Sequence, residues 1–165
     1  MSDVGCVASK DSAMTTIVLV QPEIPGNTGS IGRTCVALDM ELVLIRPLGF
    51  DISESAVKRA GLDYWKHVRL AEFDSFAEFL ALRKVRNEQL FLFAKDAPRS
   101  FYDPEYPDDA VLVFGRETKG LAPELRDEFA ERLVSLPMRS PHIRSLNLAN
   151  AVTAAAYQAL RRSLS

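Results

Sequence analysis

Short runs of apolar residues set the strongest constraint on the fold of this chain. They are rich in Val, Ile, Leu and Phe, and polar residues do not alternate within them, which is typical of strands buried on both faces of a sheet. Segments with helical spacing of apolar residues lie between them. This order predicts an α/β fold, a parallel sheet with helices on both faces. The predicted strands are Thr16–Gln21, Glu41–Ile45, Gln89–Phe93, Ala110–Phe114 and Leu133–Leu136, with a very short one at Val68–Leu70.

Helices are predicted where capping residues precede helical periodicity. The first covers Asn27–Asp39 and would be capped near Asn27 or Thr28. The others are Ser53–Gly61, Asp74–Val85, Ala122–Glu131 and Asn147–Arg162. The chain has 165 residues and no internal repeat, so it predicts a single domain over residues 15–165. Residues 1–14 are small or polar and predict a flexible tail.

Composition excludes several classes of protein. The formal net charge is −2 and the sequence pI about 5.7, so average charge does not favour nucleic-acid binding. Two cysteines and two histidines give neither a disulfide framework nor a metal site. No apolar run is long enough to span a membrane, and the N-terminus lacks the order of a signal peptide. These features predict a cytoplasmic protein that binds no metal and no membrane.

The stretch PEIPGNTGSIGR, residues Pro22–Arg33, resembles a phosphate-binding turn because glycines follow a strand. The spacing of Gly26, Gly29 and Gly32 fits neither a Walker loop nor a dinucleotide-binding fingerprint. No GxSxG elbow is present either. Glycines three residues apart also form a smooth strip on a helix, along which another part of the chain can pack. From these residues alone, close packing is the favoured interpretation.

Three separated stretches, when they are considered together, favour a functional role over close packing alone. They are NTG with Arg33, FGRETKGL at Phe114–Leu121, and LPM at Leu136–Met138 followed by SLNLANA at Ser145–Ala151. With RAGLDYW at Arg59–Trp65, the set resembles the SPOUT class of RNA methyltransferases. Within that class it is similar to the TrmL (YibK-like) tRNA 2′-O-methyltransferases. The resemblance extends from about Thr16 to Arg162.

The resemblance implies properties that the sequence patterns do not. It implies a deep trefoil knot in the C-terminal part of the domain, S-adenosylmethionine as the methyl donor, and a homodimer with the site near the subunit interface. The implied reaction is 2′-O-methylation of the wobble nucleotide, cytidine or uridine, in the anticodon stem-loop of tRNA. The alternatives are another tRNA or rRNA site, a non-catalytic RNA-binding protein of the same fold, or a nucleotide-binding regulator unrelated to methylation.

Arg33, Asn27 and Ser145 are the candidate catalytic residues by this resemblance. Related proteins are proposed to use this arginine as a general base. A guanidinium stays protonated at neutral pH, so a bidentate grip on an RNA phosphate is the safer role. Asn27 would either hold the start of the first helix or touch the ribose. Ser145 would contact the cofactor or cap the final helix.

The candidate cofactor residues lie mainly at or just after the ends of predicted strands. Gly115 lacks a side chain, so backbone could approach a ligand closely there. Glu117 would orient that turn or the substrate, or be a solvated carboxylate. Backbone groups near Leu136 and Met138 could pair with an adenine edge. The full predicted set is Phe93, Gly115, Glu117, Leu136, Met138, Ser145 and Asn150.

RNA binding is predicted for a basic stretch with aromatic residues. Residues 57–69 contain four Lys or Arg and one Asp, with Tyr64 and Trp65 among them. Basic side chains next to aromatic rings suit phosphate contact and base stacking, although such a stretch is also common on solvated surfaces. The predicted RNA-binding residues are Lys58, Arg59, Tyr64, Lys66, Arg144 and Tyr157.

Overall fold

The computed structural model describes residues 13–53 and 63–165. Most of the predicted tail and of the predicted helix Ser53–Gly61 lies outside the described residues, as do Lys58 and Arg59. Within the described ranges, no helix is long and apolar enough to cross a membrane.

Six parallel strands form one sheet with the order β3-β2-β1-β5-β4-β6. This confirms the predicted parallel α/β fold. The third strand is longer than its prediction, and the sixth is shorter. The strands are β1 (Thr16–Val20), β2 (Glu41–Ile45), β3 (Arg69–Phe73), β4 (Leu90–Phe93), β5 (Val111–Phe114) and β6 (Leu133–Val134).

The described α-helices are α1 (Pro25–Ala37), α2 (Phe76–Leu82), α3 (Pro123–Glu128), α4 (Leu148–Ala159) and α5 (Arg161–Leu164). Short 3₁₀ turns cover Trp65–His67, Asn87–Gln89 and Ala130–Arg132. Two predicted caps are wrong. Helix α1 begins at Pro25 with Ile24 at its N-cap, so neither Asn27 nor Thr28 caps it. Helix α4 is capped by Asn147 and not by Ser145.

Alternate residues of the strands pack on opposite faces of the sheet. On one face, Ile17 and Leu19 of β1 pack with residues of α1 and α4 such as Ile31 and Val152. On the other, Val18 and Val20 pack with Phe76 and Phe79 of α2. The sheet is therefore covered by helices on both faces, as the continuous apolar runs predict.

Two helices on the first face lie against each other. The hydroxyls of Thr34 in α1 and Thr153 in α4 are hydrogen bonded at 2.8 Å. Helix α1 also touches the 3₁₀ turn, because a Cβ built on Gly32 would lie 2.6 Å from Cζ3 of Trp65. Close packing is thus the role of Gly32, whereas a Cβ on Gly26 would meet nothing within 4 Å.

The two glycines make a matched pair for a stability test. We expect Gly32→Ala to lower the free energy of unfolding by about 1–2 kcal/mol, because overpacking against Trp65 outweighs the better helix propensity of alanine. Gly26→Ala should leave it unchanged or raise it by up to about 1 kcal/mol. Denaturant unfolding at one fixed protein concentration measures both. Equal responses of the two variants would contradict the packing role.

Candidate active site

A cavity of about 450 Å³ opens at the carboxyl ends of β4, β5 and β6. Residues that follow β1, such as Ile24 and Asn27, complete its wall. Its volume is in the range of small-molecule sites. In open α/β sheets, ligands bind outside the carboxyl ends of the strands, near the point where the strand order reverses. The cavity is therefore the candidate ligand site.

Part of the cavity lining is apolar. The rings of Phe93 and Phe114 stack there, with centroids 4.5 Å apart and an interplanar angle of 13°. Leu136, Met138 and Leu148 add apolar surface. Within the part of the chain that the structure describes, the backbone N–H groups of Leu136 and Met138 have no protein acceptor. The lining can therefore hold a flat heterocycle and hydrogen bond its edge.

Most of the predicted cofactor residues meet at this cavity. Phe93, Gly115, Glu117, Leu136, Met138 and Ser145 all line it. Asn150 does not: it lies exposed in the first turn of α4, where its N–H donates to Asn147 Oδ1. Asn147, which lines the cavity in its place, belongs to the same SLNLANA stretch. The motif thus reaches the cavity through Asn147, and the sequence alone could not tell which of its two asparagines lines it.

Gly115 begins a tight turn that forms one wall. Arg116 and Gly120 exchange two backbone hydrogen bonds, of 3.1 and 2.9 Å, and Gly120 adopts the left-handed region with φ +66°. A Cβ on Gly115 would lie 2.1 Å from the carbonyl carbon of Gly120. The close approach predicted at Gly115 is therefore made by the chain itself, and the glycine is required to close the turn.

Glu117 in this turn caps helix α1. Its carboxylate accepts hydrogen bonds from the N–H groups of Glu23 at 2.8 Å and Ile24 at 3.0 Å, and from Asn27 Nδ2 at 3.4 Å. The first N–H groups of a helix lack intrahelical acceptors, and the helix dipole favours a negative charge there. Glu117 supplies both the acceptor and the charge. Of the roles considered for it, orienting the turn fits these contacts.

Residues just before helix α1 also bind side chains and backbone of the turn after β5. Glu23 accepts from the Thr118 hydroxyl at 2.9 and 3.0 Å and from its N–H at 3.2 Å. Gln21 Oε1 accepts from both Nε, at 2.8 Å, and Nη2 of Arg116. We call these contacts of Gln21, Glu23, Glu117 and Thr118 the inter-loop clamp. Sequence reasoning missed Gln21, Glu23 and Thr118, although Glu23 and Thr118 lie within quoted motifs and Gln21 directly precedes one.

Asn27 joins the clamp to the start of α4. Its Oδ1 accepts from Asn147 Nδ2 at 3.0 Å, while its own Nδ2 reaches Glu117. Asn147 Oδ1 accepts from the N–H groups of Ala149 at 2.9 Å and Asn150 at 3.3 Å. Each of the three predicted motifs contributes one residue to this chain of hydrogen bonds, so the fold brings all three together at one wall of the cavity.

The rim of the cavity carries charges of both signs. Arg126 Nη2 contacts Asp96 Oδ1 at 2.8 Å, and this hydrogen bond lowers the pKa of the Asp96 carboxyl. Lys95 and Lys119 are exposed at the rim. Among the residues described, no group of three or more His, Cys, Asp or Glu side chains is placed to hold a metal ion.

Arg33 and the described residues of the predicted RNA-binding set lie outside this cavity. Arg33 is exposed on α1, and its guanidinium carbon is 5.6 Å from the ring centroid of Tyr64. No carboxylate in residues 13–53 or 63–165 lies within ion-pair distance of it. Lys66 and Arg144 are exposed, and Tyr157 is 54% exposed on α4. The cavity of one chain therefore holds six of the seven predicted cofactor residues without Arg33.

The capping role of Glu117 can be tested by an isosteric change. Glu117→Gln removes the charge and replaces one of the two acceptor oxygens by an NH2 donor. We therefore expect the free energy of unfolding to fall by about 1–2 kcal/mol. Glu128→Gln, at an exposed carboxylate on α3, is the matched control and should change nothing measurable. Chemical denaturation of both variants measures the difference. An unfolding midpoint of Glu117→Gln equal to that of the control would contradict the cap.

Comparison with known proteins agrees with this geometry. The family model described as "SpoU rRNA Methylase family" matches residues 14–157. The tRNA (cytidine(34)-2′-O)-methyltransferase of Burkholderia pseudomallei is 40% identical over 151 residues, which cover 91% of this chain and 96% of that one. A solved structure described as concerning the 2-OH methylation of C/U34 on tRNA is 45% identical, with a TM-score of 0.83 and coverage of 92% and 97%.

A third comparison concerns a bound cofactor. The structure of an AdoMet-bound rRNA methyltransferase from Sinorhizobium meliloti is 25% identical, with a TM-score of 0.79. It covers 92% of this chain and 57% of that chain. The matched family model and the 45% identity over nearly the whole chain agree with the meeting of the three motifs at one cavity. The chain belongs to the SpoU methylase family of the SPOUT methyltransferases.

Proposed function

We propose that the protein transfers the methyl group of S-adenosylmethionine to the ribose 2′-hydroxyl of the wobble nucleotide, cytidine or uridine, in the anticodon stem-loop of tRNA. The observation that carries the proposal is the hydrogen-bonded meeting of Asn27, Glu117 and Asn147 at the wall of the cavity. Relatives that share 40–45% of this sequence are named or described for that reaction. Because tRNA is the substrate, we place the protein in the cytoplasm.

The cavity fits the proposed cofactor in its chemistry. The stacked Phe93 and Phe114 rings suit a flat adenine, and the N–H groups of Leu136 and Met138 suit its polar edge. S-adenosylmethionine supplies a methyl group on a positively charged sulfur, ready for displacement by an oxygen.

The residues of this chain orient the reaction more than they alter its chemistry. Methyl transfer requires the attacking oxygen, the carbon and the sulfur to lie in line, and holding reactants in that arrangement lowers the barrier substantially. The inter-loop clamp fixes the cofactor wall relative to helix α1. Arg33, fully protonated, would hold a phosphate next to the target ribose by a bidentate contact.

A homodimer would bring Arg33 to a cavity from which it is absent in one chain. The exposed residues of α1 and α4 recur with helical spacing, and half of them are Gly, Ser or Ala. The two helices lie side by side through Thr34 and Thr153, so together they make one face on which another helix pair can pack closely. We propose that two copies pack through this face. The residues of this face are Ser30, Arg33 and Ala37 on α1, and Asn150, Ala154 and Tyr157 on α4.

The deep trefoil knot remains a prediction, which the contacts of Ser135 support. The N–H of Ser135 donates to Arg99 O and that of Phe101 to Ser135 O, both at 2.9 Å, and the Ser135 hydroxyl donates to Ala97 O at 2.9 Å. The chain after β6 thus passes along the β4–β5 connection before α4 returns to α1. A passage beneath that connection would place the knot in the C-terminal part of the domain.

The proposed reaction predicts a ribose methyl at one position of tRNA. The protein is incubated with labelled S-adenosylmethionine and tRNA lacking the modification, and the methylated nucleotide is mapped. We expect label at the wobble ribose, and Arg33→Ala to lower the rate by about 10²-fold or more, since a substrate phosphate loses its positioning contact.

Arg86→Ala provides the control for this experiment. Arg86 is exposed before β4, at the opposite end of the sheet from the cavity, and its surface ion pairs contribute little. The methyl-transfer rate of Arg86→Ala should equal that of the wild type. Absence of transfer to any tRNA would overturn the proposed function, and label at a different nucleotide would assign the protein to another 2′-O-methylation site.

The dimer face can be tested by charge. Ala154→Glu places a carboxylate in the centre of the face, so we expect the protein to become monomeric in light scattering and to lose methyl transfer. Leu82→Glu, at a 65% exposed position of α2 on the other side of the sheet, should change neither. A wild-type protein that is monomeric yet active would contradict the shared site.

A further inference from the structure

Tyr64 lies against the part of α1 that carries Arg33. Its hydroxyl donates to the carbonyl oxygen of Gly29 at 2.9 Å, and its ring faces the Arg33 guanidinium at 5.6 Å. In an α-helix, the N–H of each residue bonds to the carbonyl four residues earlier, so Gly29 is also the backbone partner of Arg33. One carbonyl therefore anchors the tyrosine ring and the backbone of the arginine that the ring contacts.

The next residue fixes the position of this ring. Trp65 begins the 3₁₀ turn, and its indole rests on the α1 backbone at Gly32, where a Cβ would lie 2.6 Å from Cζ3. Val68 Cγ2 closes the same contact at 3.3 Å. Tyr64 thus cannot move along α1 without displacing a tryptophan that is packed against the helix.

Arg33 needs such a support because little else in its own chain holds it. It is exposed, and within the described ranges no carboxylate pairs with it. A long side chain in solvent samples many rotamers, and fixing them on binding costs affinity. A cation held over an aromatic face is restricted before the ligand arrives.

We infer that Tyr64 is a positioning residue that pre-orients the guanidinium of Arg33 toward an RNA phosphate, and that it does not itself stack on a base. The inference rests on the proposed function, in which Arg33 grips a phosphate of tRNA. Burial raises the pKa of Tyr64 above its ordinary value, against the opposing effect of Arg33, so the hydroxyl keeps the proton that it donates to Gly29.

A double-mutant cycle on tRNA binding tests this assignment in the full-length protein. The dissociation constant for unmodified tRNA is measured for the wild type, Tyr64→Leu, Arg33→Ala and the double variant. We expect Tyr64→Leu to weaken binding about five- to tenfold when Arg33 is present, and less than about twofold in the Arg33→Ala background. Equal losses in both backgrounds would mean a direct base contact and would overturn the inference.

Tyr64→Phe separates the two contacts of the tyrosine. It keeps the ring under Arg33 and loses the hydrogen bond to Gly29, so binding should weaken by about two- to threefold, again only with Arg33 present. This variant also carries the test if Tyr64→Leu fails to fold. Single-turnover methyl transfer at saturating tRNA should fall in Tyr64→Leu and recover largely in Tyr64→Phe; equal rates in Tyr64→Leu and the wild type would overturn the inference.

The outcome does not depend on which nucleotide is methylated. If wild-type protein binds tRNA but transfers no methyl group, the proposed function fails, while the binding cycle still decides whether Tyr64 acts through Arg33. If Arg33→Ala binds tRNA as tightly as the wild type, the phosphate grip is absent, and the role assigned to Tyr64 falls with it.

Discussion

The organisation of the site depends on two carboxylates that each bind the other's loop. Glu117 accepts N–H groups at the start of α1, and Glu23, at that start, accepts the N–H and hydroxyl of Thr118. Hydrogen bonds to a charged acceptor are among the stronger ones, and one of them satisfies the N–H of Ile24, the N-cap residue, which the helix leaves without a partner. The same contacts attach the turn after β5 to the segment after β1, so one wall of the cavity cannot move without the other.

Asn27 and Asn147 extend this attachment to the last long helix. Asn147 caps α4 and donates to Asn27, which in turn contacts Glu117. Three segments that are far apart in sequence are thereby fixed around one cavity by side chains that also stabilise the ends of two helices. A single set of residues thus stabilises the fold and shapes the site, which explains why the three motifs are informative only as a set.

The fold could be predicted because the features that determine it are local. Continuous apolar runs such as Glu41–Ile45 indicate strands buried on both faces wherever they occur. The acceptor at the start of α1 could not be predicted, because Glu117 is 93 residues from the Ile24 N–H that it binds. A close backbone approach at Gly115 could be predicted, but its partner there, Gly120, is set by the closed turn.

The proposed reaction requires a rigid cofactor site and an accessible RNA surface, and the structure contains both. In-line transfer tolerates little displacement, and the cavity wall is held by the inter-loop clamp. RNA, by contrast, is bound through contacts that must adapt to a flexible backbone. Residues 137–147 are exposed throughout and contain Arg139 and Arg144 without a carboxylate, directly beside the cavity. A chain with a net negative charge can therefore still present a locally basic edge to RNA, which is why the average charge misleads about its partner.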